Sequence, residues 1–234
     1  MATQTPAKKS GRSYTQTPQK AERSRMPLLI GIVVAVIVVA FAAAVIASRG
    51  GSDDASQTAA VEVDGAPLPQ MTDGDDPALG MVAPTVVGTD FDGETVEITP
   101  GDGPRLVVFL AHWCPHCQAE VPIISPYLAS DVAPEGLQTV AVSTAVSSSR
   151  DNYPPSAWLE REGWPTPVIR DDTDDTVAKA YGLTAYPFFV VINEEGAVVG
   201  RDSGEMPVEE FDAFLRNSLG MPLATADATA TTTA

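Results

Sequence analysis

The chain contains two cysteines, and they lie three residues apart in the run Trp113-Cys114-Pro115-His116-Cys117. An apolar run typical of a buried strand precedes them, and Pro115 is suited to the first turn of a helix that begins there. A cysteine at the N-terminus of a helix lies where unpaired backbone N–H groups and the helix dipole favour negative charge. We therefore expect a stabilised thiolate at Cys114, and the thiolate is the form of cysteine that attacks a disulfide.

Cys117 follows one helical turn later, close enough to Cys114 to form a disulfide with it. We expect Cys117 to be the less exposed of the two, which suits it to resolve a mixed disulfide formed at Cys114. His116 lies between the cysteines, where a hydrogen-bond donor or a positive charge would further stabilise the Cys114 thiolate. With Trp113 and Pro115, it forms the set of neighbours expected to tune the redox potential.

Two other uses of the cysteines stay open. One is a structural disulfide in a tethered binding module without activity, although a bridge that closes so short a loop constrains the unfolded chain little. The other is a copper carrier that uses two soft thiolates. Zinc is disfavoured although His112, Cys114, His116 and Cys117 are metal-ligand types, because zinc sites usually draw ligands from two separated segments and no further Cys or His exists. We interpret His112 as a structural histidine at a strand end.

Short strands and helices alternate between residues 84 and 220. The run Arg105–Ala111 is almost entirely apolar, which is typical of a strand buried on both faces. Strands separated by helices, ending in a hairpin and a helix, indicate an α/β domain around a mixed sheet. The other predicted strands are Pro84–Thr89, Thr95–Ile98, Leu137–Val146, Pro167–Arg170, Phe188–Asn193 and Ala197–Asp202, and the predicted helices begin at Cys114–Pro115, Ser156, Asp174 and Pro207.

Residues 28–47 form an apolar run of twenty residues without a charge, long enough at about 30 Å to cross the hydrocarbon core of a bilayer. The preceding residues carry six positive charges against one glutamate, so we expect the N-terminus to stay in the cytoplasm. The alternative is a signal peptide cleaved near Ala42 and Ala44. In both cases the rest of the chain is exported, and the protein is expected at the cell membrane with its folded domain outside the cytoplasm.

The predicted organisation has five parts. They are a disordered cytoplasmic tail at 1–27, a transmembrane helix at 28–47, a flexible linker at 48–76, a folded domain at 77–220 and a disordered tail at 221–234. Residues 50–234 carry seven basic and 30 acidic side chains, a net charge of −23. A surface this acidic repels phosphate backbones, so nucleic-acid binding is disfavoured.

Several motifs together resemble the thioredoxin superfamily, in particular its membrane-anchored TlpA/ResA-like thiol-disulfide oxidoreductases. They are WCPHC after a buried strand, Glu120 and Pro122 in the helix behind it, Tyr186-Pro187 before the strand FFVVI, and NEEGAVVG after that strand. The resemblance covers about residues 83–220. It implies a thioredoxin-like fold with a central mixed sheet flanked by helices, behind one N-terminal transmembrane helix. It also implies protein thiol or disulfide substrates and a membrane or extracytoplasmic redox partner, without a separate cofactor or metal.

The resemblance also implies site residues beyond the cysteines. The peptide bond before Pro187 would be cis, and Pro187 would shape the groove that receives the substrate backbone. Tyr186 departs from the family pattern, and its bulk at this substrate-binding position would narrow the choice of substrate. Glu120 matches a family glutamate beneath the redox pair, where a raised pKa would let it relay the proton of Cys117. The alternative for Glu120 is an inert glutamate on the helix surface. The Pro-His dipeptide between the cysteines is similar to that of the strongly oxidising DsbA proteins, which leaves the direction of electron flow open.

Overall fold

The computed structural model describes residues 57–72, 74–101 and 103–223. All of them belong to one unit of the chain, Gly50–Ala234. The predicted cytoplasmic tail at 1–27 and transmembrane helix at 28–47 lie outside the described residues, as does most of the predicted C-terminal tail. Within the described part of the chain, no helix combines the length and apolar character needed to span a bilayer.

The described residues form strands and helices in alternation, which confirms the predicted α/β class. In chain order the elements are β1 (Glu62–Asp64), β2 (Thr85–Thr89), β3 (Thr95–Ile98), β4 (Arg105–Leu110), α1 (Pro115–Leu128), β5 (Gln138–Ser143), α2 (Pro155–Arg161), β6 (Val168–Arg170), α3 (Thr176–Ala180), β7 (Phe188–Ile192), β8 (Val198–Ser203) and α4 (Val208–Ser218).

The central sheet is mixed, as predicted, and has the strand order β6-β5-β4-β7-β8. Its middle strand β4 runs parallel to β5 and antiparallel to β7, so that Phe109 is paired with Val142 on one side and Phe188 on the other. A smaller antiparallel sheet has the order β1-β2-β3.

Both faces of the central sheet are covered, which explains the apolar run in β4. Alternate side chains of a strand point to opposite faces. Leu106, Val108 and Leu110 pack in one core with side chains of α1 and α4. Val107 and Phe109 pack in the other core with side chains of α3 and the smaller sheet. The end of β4, which leads directly into the cysteine motif, is therefore held by packing on both sides.

Helix α1 begins where the sequence predicts and continues through two internal prolines. Cys114 is the N-cap residue, Pro115 occupies the first turn, and the helix continues through Pro122 and Pro126 to Leu128. Each internal proline removes one backbone donor from the helix. Burial of a continuous face that includes Val121, Ile124 and Tyr127 outweighs this loss.

The prediction of a flexible linker at 48–76 is wrong for much of the part of this segment that the structure describes. Val63 of β1 is paired with Val86 of β2. Leu68 is buried, and its N–H donates to the carbonyl of the last residue of α3. Asp76 forms an ion pair with the buried Arg201 of β8. The mostly polar composition of the segment predicts flexibility, but a few of its apolar and charged side chains hold it against the domain.

Strand β5 ends at Ser143 and not at Val146 as predicted. The residues that follow form a loop, here called the β5–α2 loop (residues 144–154). Ala145 and Asn152 in this loop have positive φ angles of 50° and 57°, and the Tyr153–Pro154 peptide bond is cis. The end of the predicted strand is therefore part of a loop, and this loop contacts His112 and Trp113, the two residues before Cys114.

Candidate active site

Cys114 lies at the N-terminus of α1 against the residue that precedes Pro187. Its backbone has φ −74° and ψ 122°, and its N–H donates to the Ala111 carbonyl at 2.9 Å. The Cys114 thiol donates to the Tyr186 carbonyl, with a distance of 3.7 Å from Sγ to the oxygen. The Tyr186–Pro187 bond is cis, as the resemblance implied. Cys114 remains 7% exposed at this contact.

Cys117 is fully buried, so the two cysteines differ in the predicted sense. Its thiol lies close enough to Cys114 for the two groups to interact electrostatically. Burial raises the pKa of the Cys117 thiol, and the nearby charges of Cys114 and Glu120 raise it further. A partner that arrives from solvent therefore meets Cys114 first, and Cys117 holds its proton until a base removes it.

Glu120 lies one turn after Cys117 and is fully buried. Its Oε2 accepts a hydrogen bond of 3.0 Å from the Met206 N–H, while its Oε1 has no hydrogen-bond partner among the residues that the structure describes. Burial raises the pKa of Glu120 to about 7, and the negative charge of Glu205 adds to the effect of burial. The structure thus contains a buried carboxyl beneath the cysteine pair, and not a surface glutamate.

His116 projects to the surface between the cysteines. Its Nδ1 contacts Oε1 of Glu205, and both side chains are exposed. Glu205 precedes Met206 in the connection between β8 and α4, so this one segment contacts the exposed His116 and the buried Glu120. Sequence reasoning missed Glu205, because nothing in the local sequence indicates that this connection returns to the cysteines.

Trp113 contacts two other segments around Cys114, the β5–α2 loop and the residue before Pro187. Its indole Nε1 donates to the Ala145 carbonyl at 2.7 Å, and its ring meets the Tyr186 ring edge-on with centroids 6.0 Å apart. The guanidinium carbon of Arg150 lies 4.4 Å from the centroid of the Trp113 ring. The sequence did not indicate that Arg150 belongs to the site, because the predicted strand Leu137–Val146 does not place the residues that follow it near Trp113.

His112 is buried, with 1% of its surface exposed, and both ring nitrogens bind the β5–α2 loop. Nδ1 donates to the Asp151 carbonyl at 2.7 Å, and Nε2 accepts from the Ser147 N–H at 3.2 Å. This network assigns the neutral tautomer with the proton on Nδ1, and burial lowers the pKa of His112 in agreement. These contacts fit the interpretation of His112 as a structural histidine. Because both ring nitrogens are already hydrogen-bonded, His112 is not available as a metal ligand together with Cys114, His116 and Cys117.

Residues 78–215, more than half of the chain, match the sequence model of the Redoxin family. This chain belongs to the Redoxin family. It is 29% identical over 143 residues to the thiol-disulfide oxidoreductase ResA of Halalkalibacterium halodurans, a match that covers 58% of this chain and 77% of the relative. ResA of Bacillus subtilis is 30% identical over 131 residues, which cover 54% of this chain and 68% of the relative. The Redoxin family member described here is thus a TlpA/ResA-like thiol-disulfide oxidoreductase of the thioredoxin superfamily.

A solved structure supports the fold independently. The crystal structure of a hypothetical protein from Sinorhizobium meliloti is 21% identical and superposes with a TM-score of 0.53. The match covers 65% of this chain and 90% of that chain. At this identity the likeness concerns the fold alone, and it agrees with the thioredoxin-like arrangement of the central mixed sheet and its helices.

Proposed function

We propose that this protein is a membrane-anchored, extracytoplasmic oxidoreductase that exchanges disulfides with protein clients through Cys114 and Cys117. The observation that carries the proposal is the unequal burial of two neighbouring cysteines at the N-terminus of α1. Cys114 is 7% exposed beside the cis-proline segment, whereas Cys117 is fully buried next to Glu120. Attack and resolution are different chemical tasks, and this asymmetry supports attack by Cys114 and resolution by Cys117.

The exchange proceeds in two substitutions at sulfur. In the reducing direction the Cys114 thiolate attacks one sulfur of a client disulfide, the client S–S bond breaks, and the other client sulfur leaves as a thiolate. Cys117 then attacks the Cys114 sulfur of the mixed disulfide, and the second client sulfur leaves. Two electrons have passed to the client, and Cys114 and Cys117 are joined in a disulfide. The oxidising direction is the same sequence reversed.

Glu120 serves as the base for the second substitution. Cys117 must lose its proton before it attacks, and burial raises its pKa. A carboxyl with a pKa of about 7 is ionised in about half of the molecules at neutral pH, so it accepts and returns a proton under the same conditions. Oε1 of Glu120, which has no hydrogen-bond partner in the described part of the chain, is available for that proton.

The residues around Cys114 bind the client and tune the potential. Tyr186 and Pro187 form the wall that receives the client backbone, with Trp113 beside them. Pro115 and His116 set the stability of the Cys114 thiolate, and a more stable reduced form makes the disulfide a stronger oxidant. No separate cofactor is required, but a membrane or extracytoplasmic redox partner must restore the cysteine pair after each turnover.

The proposed location rests on residues 28–47 and on the cysteine chemistry. An uncharged run of twenty apolar residues behind a basic N-terminal segment favours an anchor with its N-terminus in the cytoplasm. Thiol–disulfide exchange has substrates in an oxidising compartment. Alkylation of intact cells with a membrane-impermeant maleimide tests this location, because only an exported Cys114 is labelled before lysis. Detergent-dependent extraction distinguishes a retained anchor from a cleaved signal peptide.

The roles of the cysteines are tested by trapping. With Cys117→Ser, the mixed disulfide at Cys114 cannot be resolved internally, so a client disulfide peptide accumulates as a covalent adduct. With Cys114→Ser, no such adduct forms at the same peptide concentration. An adduct of equal yield in both variants would reject the assignment. The reduction potential of the wild-type pair then decides direction, since roughly −270 mV is typical of reducing thioredoxins and roughly −120 mV of DsbA.

A further inference from the structure

A positive charge lies at the rim of the proposed client-binding face. Arg150 is exposed, and its guanidinium stacks over the ring of Trp113, the residue immediately before Cys114. The same indole ring meets Tyr186 edge-on, next to Pro187. Arg150 therefore belongs to the surface that a polypeptide would cover when one of its sulfurs reaches Cys114.

The backbone on both sides of Arg150 is held in place. His112 binds the Ser147 N–H and the Asp151 carbonyl from the buried side, so the segment between these residues is fixed at both ends. The indole of Trp113 binds the Ala145 carbonyl as well. An arginine side chain on a fixed segment, stacked on an aromatic ring, loses little further freedom when it binds a partner.

The charge of Arg150 is available to a partner. Among the residues that the structure describes, no carboxylate oxygen lies within 4.0 Å of its guanidinium, whereas Arg161, Arg201 and Arg216 each form an ion pair. Near the cysteines, Glu205 is bound to His116. Residues 50–234 carry a net charge of −23, so Arg150 is a local exception on a surface that otherwise repels acidic clients.

We propose that Arg150, stacked on Trp113, is a specificity residue that favours clients with a carboxylate side chain next to the reacting cysteine. The inference rests on the proposed function, because it concerns the client of the same exchange reaction. The chemistry of the exchange is unchanged, and the guanidinium acts by a charge-assisted contact with the client carboxylate.

Three peptide substrates test the inference directly. Each consists of two short peptides joined by one disulfide, identical except for Asp, Asn or Lys beside one cysteine, with a fluorophore and quencher that separate on reduction. The full chain is reduced, purified in a nonionic detergent and mixed with each peptide, and the second-order rate constant is measured. For the wild type we expect the order Asp, Asn, Lys, with about a threefold to fivefold step between neighbours at low ionic strength and a smaller step in high salt.

Two variants and one control identify the responsible residue. Arg150→Gln should reduce the three peptides at similar rates. Arg150→Glu should reverse the order. Lys179→Glu, an exposed cation of α3, makes the same change in net charge and should keep the wild-type order. Loss of the order in Lys179→Glu as well would indicate a general charge effect and would overturn the inference.

The outcomes for wild type separate the two proposals. Absence of any thiol–disulfide exchange, measured both as reduction of the peptides by the reduced protein and as oxidation of the peptide thiols by the oxidised protein, would refute the proposed function, and the inference with it. Reduction of all three at equal rates would leave the proposed function in place and refute the inference alone. An unchanged order in Arg150→Glu would also refute it, because the preference would then arise from another group.

Discussion

Replacing Glu120 with glutamine should stabilise the fold at alkaline pH and have a smaller effect at acidic pH. The pKa of Glu120 is raised by burial, so the folded state keeps this proton at pH values where the unfolded chain has lost it. Between the two pKa values the folded state binds more protons, and its stability falls as pH rises. Glutamine does not titrate, so Glu120→Gln lacks this loss.

The size of the effect follows from the two pKa values. The pKa of Glu120 rises from its ordinary 4.5 to about 7. At 1.36 kcal/mol for each pKa unit, the wild type loses about 3 kcal/mol of stability through this group between pH 4.5 and pH values above 7. The carboxyl is fully buried, so solvent screening reduces this figure little. The glutamine amide also alters the contact at the unpartnered Oε1, but that effect does not depend on pH.

The assay is urea denaturation of the reduced proteins across this pH range. The difference in unfolding free energy between Glu120→Gln and wild type should become more favourable to the variant by about 3 kcal/mol from pH 4.5 to 8. The slope is the informative quantity, because groups common to both proteins, such as His112, cancel in the difference. A difference that stays constant with pH would show that Glu120 titrates normally and would refute the reasoning.

Three further predictions concern the site and its support. In Glu120→Gln, single-turnover resolution of the mixed disulfide by Cys117 should be slower at pH 7 by at least about tenfold. The pH profile of this rate should also lack the inflection that the wild type shows near pH 7. If the variant keeps that inflection, Glu120 is not the base. Burial lowers the pKa of His112, so the stability of the wild type falls as the pH drops below about 6.5, the pKa of histidine in the unfolded chain. His112→Asn should therefore lose less stability than the wild type between pH 7 and 5. Asp76→Ala should cost about 3 kcal/mol in urea denaturation because it leaves a buried arginine unpaired, whereas the exposed neighbour Asp75→Ala should be nearly neutral; equal costs would reject the docking of this segment.

The parts of the site that could be predicted are those encoded by neighbouring residues. The apolar run of β4, the proline at the start of α1 and the spacing of Cys114 and Cys117 are all local patterns, and they predicted the helix N-terminus and the unequal burial of the cysteines. The burial of Glu120 and the cis bond before Pro187 were implied by the resemblance to a family. Local spacing alone left Glu120 equally compatible with the helix surface.

Contacts between distant segments could not be predicted. The Glu205–His116 contact joins residues 89 positions apart, and the Cys114–Tyr186 contact joins residues 72 apart. The linker prediction for 48–76 failed for the same reason. Strand β1 has only three residues, too few for a periodic pattern, and pairing with β2 holds it in place.

Glu120 links the stability of the domain to its chemistry. A carboxyl with one backbone partner in a buried position destabilises the folded protein once it ionises, and an uncharged side chain of the same shape would avoid that cost. The same burial brings its pKa to about 7, where it exchanges a proton with a thiol whose own pKa burial has raised. Because one cause produces both effects, a variant at this position should gain stability above pH 7 and lose resolution rate together. A variant that changed only one of the two would separate the burial of Glu120 from its proposed function as a base.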